Sequence, residues 1–144
     1  GYWTVAADGG VFAFEVPFFG SAGSLPLNQP VVGMASTTTG NGYWLVARDG
    51  GIFSYGDAHF SGSTGHLVLN KPIVGMAADP DGLGYWFVAA DGGVFAFDAD
   101  FHGSGVGRVR AGDQVVGMAA HPAGGYWLVT AKGDVIGFGA AATV

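Results

Sequence analysis

Short apolar runs alternate with glycine-rich turns along the whole chain, and none of the runs has the spacing of an amphipathic helix. In the run GYWLV, residues 42–46, the Gly, Trp and Val positions fall on one side of an extended strand, and Tyr and Leu fall on the other. Both sides of such a strand are apolar, so both must be covered. The pattern therefore predicts an all-β protein in which each sheet is packed on both faces.

The apolar runs belong to an internal repeat of about 41 residues. The tripeptide Gly-Tyr-Trp recurs with offsets of 41, 42 and 41 residues, and Val-Gly-Met-Ala recurs with offsets of 42. We predict one repeat domain, residues 1–144, made of a partial unit 1–30, two whole units 31–72 and 73–114, and a partial unit 115–144.

Each unit runs from VGMA through a loop to GYWxVA, then Asp-Gly-Gly, then VFAF or IFSY, then a Phe followed closely by Gly-Ser. Asp-Gly between two strand-like runs supplies the positive φ of a tight hairpin turn. Four strands of ~5–6 residues, joined by connections of ~4–5 residues, account for the length of a unit. We therefore predict β-propeller-like blades of about four antiparallel strands, with about 3.5 repeats in this chain.

The VGMA strand suits the innermost position of a blade, because Gly and Ala allow close approach where sheets converge. All four units keep Trp in the two-faced apolar strand, which favours core packing over the alternative of exposed platforms for sugar rings. Methionine suits an adaptable core filler better than a metal ligand at this spacing. The predicted structural core contains Trp3, Trp44, Trp86, Trp127, Met34, Met76 and Met118.

The composition disfavours several classes of function. Five Lys and Arg against eleven Asp and Glu give a net charge of −6, which disfavours a nucleic-acid partner. The chain has no Cys, so it forms neither disulfides nor thiolate metal sites. No apolar run approaches the ~20 residues that span a bilayer, so we predict no membrane insertion. The histidines lack the spacing of a ligand set, and we predict no metal and no cofactor.

A glycosidase would need two facing carboxylates. The candidates are Asp98 and Asp100 beside His102, and Asp79 with Asp81. Each pair occurs in a single unit, and the Asp79 pair lies in a run typical of a turn. We predict a protein without catalytic activity, with a glycoside hydrolase kept as the last alternative.

Positions that vary between units are freer to serve binding than positions that every unit keeps. The first set contains the residue directly before Gly-Ser in each of the first three units, and the second set lies in the loops after VGMA. The predicted binding residues are Phe19, Ser61 and His102 in the first set, and Asn41, Asp81 and His121 in the second.

The segment GYWLVARDGGIFSYGDAHFSGSTGHLVLNKPIVGMA, residues 42–77, resembles a repeat of this length found in tandem in many secreted proteins of actinobacteria. The resemblance covers the whole chain. It extends more distantly to propellers of the chromosome-condensation-regulator type and to the β-lactamase-inhibitor protein of the second type. It implies a secreted or cell-surface location, often beside hydrolase domains, and brings no catalytic motif. The chain departs from the pattern where Lys132-Gly133-Asp134 replaces Asp-Gly-Gly.

Two functions follow as expectations. The first is a non-catalytic, multivalent binding module for cell-wall glycan or polysaccharide, or for a protein partner. The second is a structural building block of a surface layer or filament. The first unit lacks its VGMA strand and the last lacks its Gly-Ser segment, so we expect the chain to pair through its ends, as a homo-oligomer or with adjoining repeats of a longer chain.

Overall fold

The computed structural model describes residues 1–65 and 67–143, and eleven strands and one short 3₁₀ helix are seen in this part. The prediction of an all-β fold is confirmed. The strands are β1 (Tyr2–Val5), β2 (Val11–Phe14), β3 (Val31–Ser36), β4 (Gly42–Ala47), β5 (Ile52–Gly56), β6 (Ile73–Ala78), β7 (Tyr85–Ala89), β8 (Val94–Phe97), β9 (Val115–Ala120), β10 (Gly125–Thr130) and β11 (Val135–Gly139). The 3₁₀ helix is Ala140–Thr143.

Each repeat unit forms one antiparallel sheet. The first sheet contains β1 and β2, the second β3 to β5, the third β6 to β8, and the fourth β9 to β11. In the three-stranded sheets the GYW strand is central, with the VGMA strand on one side and the strand after the Asp-Gly-Gly turn on the other. The sheet boundaries coincide with the unit boundaries inferred from the repeat.

The whole units have three strands each, so the prediction of about four is too high by one. The part of each unit expected to form the fourth strand is a return segment: residues 15–30 in the first unit, 57–65 and 67–72 in the second, and 98–114 in the third. Gly62 and Gly103 in these segments have a φ of 129°, which L side chains rarely adopt. A Cβ on Gly103 would lie 2.9 Å from the Phe138 ring of the next sheet. At this close contact the return segment crosses toward the next sheet instead of pairing as a fourth strand of its own sheet.

The VGMA strands β3, β6 and β9 lie beside one another in consecutive sheets. A Cβ on Gly33 would lie 3.5 Å from the Cα of Gly75, and a Cβ on Gly75 would lie 3.6 Å from the Cα of Gly117. The glycines therefore let neighbouring sheets approach closely at this edge. A register shift interrupts pairing near the start of each of these strands, at Val32 in β3 and at its equivalents.

The GYW strand contributes to two hydrophobic clusters at once, because alternate side chains point to opposite faces. Tyr85 and Phe87 pack against the second sheet, whereas Trp86 and Val88 pack against the fourth. Trp44 and Trp86 are buried, with 2% and 1% of their surface exposed, and Met76 is buried as well. The core consists of three such clusters, one at each junction between consecutive sheets.

Four residues of the predicted core are only partly buried. Trp127 faces away from the third sheet, and in the part of the chain that the structure describes no other sheet lies on that face. Trp3 and Met34 lie at the junction of the first and second sheets, where the first sheet has no VGMA strand to complete the cover. Met118 packs partly against the cluster between the third and fourth sheets.

The Asp-Gly-Gly runs form the predicted hairpin turns. In the second unit the backbone N–H of Gly51 donates to Oδ1 of Asp49 at 2.9 Å, and Gly50 has a φ of 84°. In the last unit, which lacks this aspartate, Asp134 donates its N–H to the hydroxyl of Thr130 at 3.0 Å instead. The turn geometry thus survives the change of sequence, since Gly133 keeps a φ of 92°.

No helix in the described part of the chain is long and apolar enough to cross a membrane.

Candidate functional site

One exposed phenylalanine recurs at the same place in three units. Phe18, Phe60 and Phe101 follow the strand β2, β5 or β8 and precede Gly-Ser. Their exposed fractions are 57%, 59% and 58%. We call these three side chains the phenylalanine row. Packing within the chain does not account for an aromatic ring that is exposed to the same extent in three units, which makes the row a candidate binding surface.

The backbone on both sides of each phenylalanine is held by hydrogen bonds. Before Phe60, the indole Nε1 of Trp44 donates to the carbonyl oxygen of His59 at 2.8 Å. After Phe60, the N–H of Ser61 donates to the hydroxyl of Tyr85 at 2.9 Å. The tryptophan belongs to the same unit and the tyrosine to the next unit. Phe60 is therefore presented from a turn that two consecutive sheets hold in place.

The same arrangement recurs at the other two phenylalanines. The indole N–H groups of Trp3 and Trp86 donate to the carbonyl oxygens immediately before Phe18 and Phe101. The N–H groups immediately after them donate to the hydroxyls of Tyr43 and Tyr126, each at 3.0 Å. The candidate binding surface is thus held in place by the fold.

Each tyrosine hydroxyl also donates, to the carbonyl of the Gly in Gly-Ser. This distance is 2.6 Å from Tyr43 to Gly20, from Tyr85 to Gly62 and from Tyr126 to Gly103. Burial raises the pKa of Tyr85 and of Tyr126 above 10.0. The hydroxyls of Tyr85 and Tyr126 therefore stay protonated at neutral pH and keep donating this bond.

The three predicted residues before Gly-Ser lie directly after the phenylalanine row. Phe19 packs against Trp3 and Tyr43, with ring centroids 6.4 and 5.9 Å away. The His102 ring lies 5.7 Å from the Tyr126 ring, edge to face. The hydroxyl of Ser61 is buried and has no hydrogen-bond partner in the described part of the chain. These side chains point into the sheet junctions, and their backbone N–H groups are the ones bound by the tyrosines.

The three predicted loop residues lie at the same end of the sheets as the phenylalanine row. Asn41 receives a hydrogen bond from the N–H of Asp57 on its carbonyl oxygen, and the N–H of Asp81 donates to Asp79 within an exposed turn. The His121 ring packs on the Trp127 ring at 4.9 Å. They belong to three successive units, and the structure does not gather them into one cavity.

A cavity of about 30 Å³ lies near these loops, lined by Trp44, Asp57, His59 and residues of the loops after β3 and β6. Asp57 accepts hydrogen bonds from the hydroxyls of Thr37 and Thr39, which hold its pKa below the usual 3.8. A space of this size holds one or two waters but not a sugar ring. The cavity therefore serves the packing of the loops.

Charge is distributed unevenly between the two ends of the sheets. Six carboxylates lie at the end that carries the phenylalanine row, after β2, β5 and β8 or in the loop after β6: Glu15, Asp57, Asp79, Asp81, Asp98 and Asp100. Four of the five cationic side chains lie at the opposite end, near the Asp-Gly-Gly turns: Arg48, Lys71, Arg110 and Lys132. The remaining one, Arg108, lies over the Phe138 ring at 4.9 Å. The end of the sheets that carries the phenylalanine row is therefore richer in carboxylates than in cationic side chains.

The candidate catalytic residue Asp98 occupies a structural position. It has a φ of 50°, and Glu15 at the equivalent position has a φ of 60°. The other two units have Gly56 and Gly139 there, both with a φ of 66°. The backbone turn after the last strand of each sheet thus requires the left-handed region in every unit. Among the described residues, no group of three or more His, Cys, Asp or Glu side chains could hold a metal ion.

A second repeated surface lies at the turn end. Three grooves of about 350, 310 and 390 Å³ run beside the turns of the first, second and third units. Gln29 lines the first and second grooves, and Lys71 lines the second and third, so the three are contiguous. We call them the groove track. Leu25 and Leu67 contribute exposed apolar surface, and none of the lining side chains that the structure describes is aromatic.

Comparison with known proteins finds no family model that matches the chain and no curated protein that matches it.

Sequence reasoning did not identify the phenylalanine row or the groove track as candidate binding surfaces. Phe recurs in this segment in three units, whereas the sequence predicts binding at positions that vary between units. The groove track could have been predicted from the sequence. Its segments, LPLNQP in the first unit and VRAGDQ in the third, vary between units as strongly as the loops after VGMA.

Proposed function

We propose that the chain consists of β-propeller-type blades and acts as a non-catalytic module that binds polysaccharide at the cell surface. The observation that carries this proposal is the phenylalanine row. Aromatic rings that stack on sugar faces must be exposed and rigidly presented, and each ring of the row has both properties. The proposed blade architecture is supported by the stacking of single-unit sheets whose glycine-containing VGMA strands lie side by side.

The surroundings of the row favour a particular class of glycan. Carboxylates lie close to the phenylalanines along the chain, with Asp100 directly before Phe101 and Asp57 three residues before Phe60. They can accept hydrogen bonds from sugar hydroxyls or ammonium groups, and they repel anionic groups. The proposed ligand is therefore a neutral or amino-sugar polysaccharide. The secreted location and the actinobacterial repeat type remain part of this proposal on the strength of the sequence resemblance.

The repetition of the exposed phenylalanine determines how tightly the chain should bind a polymer. One ring on one sugar gives weak binding, whereas three rings on one polymer bind with an avidity that can exceed the single-site affinity by about 10²–10⁴. Truncating one phenylalanine should therefore strongly weaken binding to a polymer. A short oligosaccharide, which contacts one ring, should bind almost undetectably to the wild type and to the variant alike.

The test is co-sedimentation with insoluble chitin, cellulose and purified peptidoglycan. We expect wild-type protein to sediment with at least one of these polymers, Phe60→Ala to lower the apparent affinity by about tenfold, and the triple variant F18A/F60A/F101A to abolish binding. Leu67→Ala is the control, because Leu67 is similarly exposed at 49% but lies in the groove track. Full binding by the triple variant, or no binding by the wild type to any of the polymers, would overturn the proposal.

The groove track supports a second candidate, a polypeptide partner. Its described lining combines leucines with amide and charged side chains and holds no aromatic ring of the kind expected of a sugar site. Selection from a random peptide library, with Leu67→Asp as the counter-selected protein, tests it. Peptides that bind wild type and lose binding to Leu67→Asp support this candidate, and a selection that enriches no such peptide contradicts it.

A further inference from the structure

The second groove of the groove track differs from the other two in its charge. Its described lining contains two cationic side chains, Arg48 and Lys71, and one carboxylate, Asp49. The described lining of the first groove has a single ionisable side chain, Asp8, and that of the third has two cations and two carboxylates. The second groove is therefore the part of the track that favours an anionic group.

The two cations of the second groove are not used by the fold. Arg48 and Lys71 are both exposed, and the one ion pair seen among the described residues involves neither of them. Their side chains donate no hydrogen bond within the part of the chain that the structure describes. The carboxylate of Asp49 already accepts a hydrogen bond from the N–H of Gly51 at 2.9 Å. Both cations are thus available to bind a ligand.

Comparison of the units shows that the fold does not require an arginine at position 48. The N–H of Arg48 donates to the carbonyl oxygen of Pro30 at 2.9 Å, and its carbonyl oxygen accepts from the N–H of Ile73 at 2.8 Å. Ala90 makes the equivalent two backbone bonds in the third unit, at 3.0 and 2.9 Å. Alanine therefore suffices for the local structure, and the arginine side chain is available for another role.

The rest of the lining indicates what kind of molecule carries the anionic group. The amide side chains of Gln29 and Asn70 can form hydrogen bonds with a peptide backbone, and Leu67 and Leu69 offer apolar contact. A polysaccharide with a negative charge on every repeat would meet the carboxylates of the first and third grooves, which repel it. A peptide can place one acidic side chain at the second groove and neutral side chains at the other two.

We propose that the groove track binds an extended peptide with a central Asp or Glu, whose carboxylate binds Arg48 and Lys71. The inference rests on the second candidate function, peptide binding along the track, and specifies the ligand of that site. Stacked sheets lie about 10 Å apart and an extended chain rises about 3.3 Å per residue, so about seven residues reach from the first groove to the third. The acidic residue lies near the middle of this segment, at the second groove.

The test is selection from a phage library of random twelve-residue peptides, followed by affinity measurements on synthetic copies of the enriched peptides. We expect the enriched peptides to contain Asp or Glu, and replacement of that residue by Asn or Gln to lower the affinity about tenfold. The affinity should also fall as the salt concentration rises, because the paired charges lie on an exposed surface.

Two protein variants remove the charges with residues that the fold already contains at equivalent positions. Arg48→Ala introduces the residue type of Ala90, and Lys71→Gln that of Gln29, which precedes the proline of the first unit. Each variant should lower the affinity for the acidic peptide about threefold, and the double variant about tenfold. Lys132→Gln is the control, because it removes one exposed charge at the same end of the sheets but outside the second groove, and it should bind like wild type. Circular dichroism verifies that each variant is folded.

The possible outcomes separate this inference from the function on which it rests. Some enriched peptides could lose binding to Leu67→Asp, yet bind the R48A/K71Q double variant like wild type or tolerate loss of their acidic residue. Such peptides would overturn this inference and leave peptide binding along the groove track standing. A selection that enriches no peptide dependent on Leu67 would overturn both. Binding of polygalacturonate, an anionic polysaccharide, that requires Arg48 and Lys71 while no peptide binds would also overturn the inference.

Discussion

The third sheet and the two end sheets contain the same Gly-Tyr-Trp strand in different surroundings. In the third sheet, Tyr85 is fully buried and Trp86 is 1% exposed, because a sheet covers each face. In the first sheet, Tyr2 is 60% exposed, and in the fourth, Trp127 is only partly buried. Identical residues therefore contribute differently to stability according to whether a neighbouring sheet is present.

The tyrosine hydroxyls of the third and first sheets also differ in their surroundings. The Tyr85 hydroxyl accepts a hydrogen bond from Ser61 and donates one to Gly62, both in the preceding unit. The Tyr2 hydroxyl makes no such bond in the described part of the chain, and its ring stacks on Phe14 instead, at 5.0 Å. A unit thus becomes fully stable only between two others, as expected for a repeat protein in which neighbour contacts carry much of the energy.

The largest effect should come from removing a tryptophan at a junction. We expect Trp86→Ala to lower the free energy of unfolding by about 3–5 kcal/mol, because it leaves a cavity between the third and fourth sheets. Trp127→Ala should cost about 1 kcal/mol, since this side chain is already partly exposed. Urea denaturation at a concentration where the chain is monomeric measures both. Equal losses would show that the covering sheet does not decide the contribution of the tryptophan.

A smaller effect is expected where the return segment crosses a hairpin turn. Gly50 and Gly133 both have a positive φ, so alanine at either costs about 1–2 kcal/mol of backbone strain. At Gly50 the new Cβ would also collide with Thr64, whereas at Gly133 it would meet nothing within 4 Å. We expect Gly50→Ala to cost about 1–3 kcal/mol more than Gly133→Ala. A thermal melt of the two variants gives this difference, and identical melts would argue against the close packing of the return segment on its turn.

Removal of a single hydroxyl at a junction should have a moderate effect. Tyr85→Phe leaves the half-buried N–H of Ser61 and the carbonyl of Gly62 without their partner, which should cost about 1–2 kcal/mol. Tyr2→Phe removes no such bond, and its stability should equal that of wild type. Hydrogen exchange of the Ser61 amide provides a local readout, and it should accelerate in Tyr85→Phe alone. An unchanged exchange rate there would contradict the assigned bond.

The sequence was sufficient to predict the repeat, the all-β fold, the hairpin turns and the burial of Trp44 and Trp86, because these depend on patterns within one unit. It was not sufficient to predict the path of the return segments. Gly62 and Gly103 bend them because the next sheet places an aromatic ring against each glycine, and that contact joins residues of different units.

The candidate site illustrates the same limit. Sequence variation indicated Ser61 and His102, and the structure places the exposed ring of the phenylalanine row one residue earlier in each unit. Whether an apolar residue of a repeat points inward or outward depends on the path of the return segment. Residue type alone could not reveal that Trp44 is covered while Phe60 is exposed.

The smallest effect should come from a contact that involves no sheet junction. Hydrogen bonds from Thr39 and Thr37 lower the pKa of Asp57, so its ionised form favours the folded state. This stabilisation is complete above the usual pKa of 3.8 and is lost as the pH falls through the lower pKa of the folded state. We therefore expect Asp57→Asn to be slightly less stable than wild type at pH 7 and equally stable in strong acid. Thermal melts across this pH range measure the difference, and a difference that persists in strong acid would contradict the assignment.

The central claim is that each repeat unit forms its own sheet and packs on the next unit through a Trp–Tyr contact. Nuclear Overhauser contacts between the aromatic rings test it most directly, in a sample labelled selectively at Trp and Tyr. The account predicts cross-peaks between the rings of Trp44 and Tyr85 and between those of Trp86 and Tyr126, at centroid distances of 5.2 Å. Absence of both cross-peaks in a folded sample, or contacts of Trp44 with Tyr126 in place of Tyr85, would contradict it.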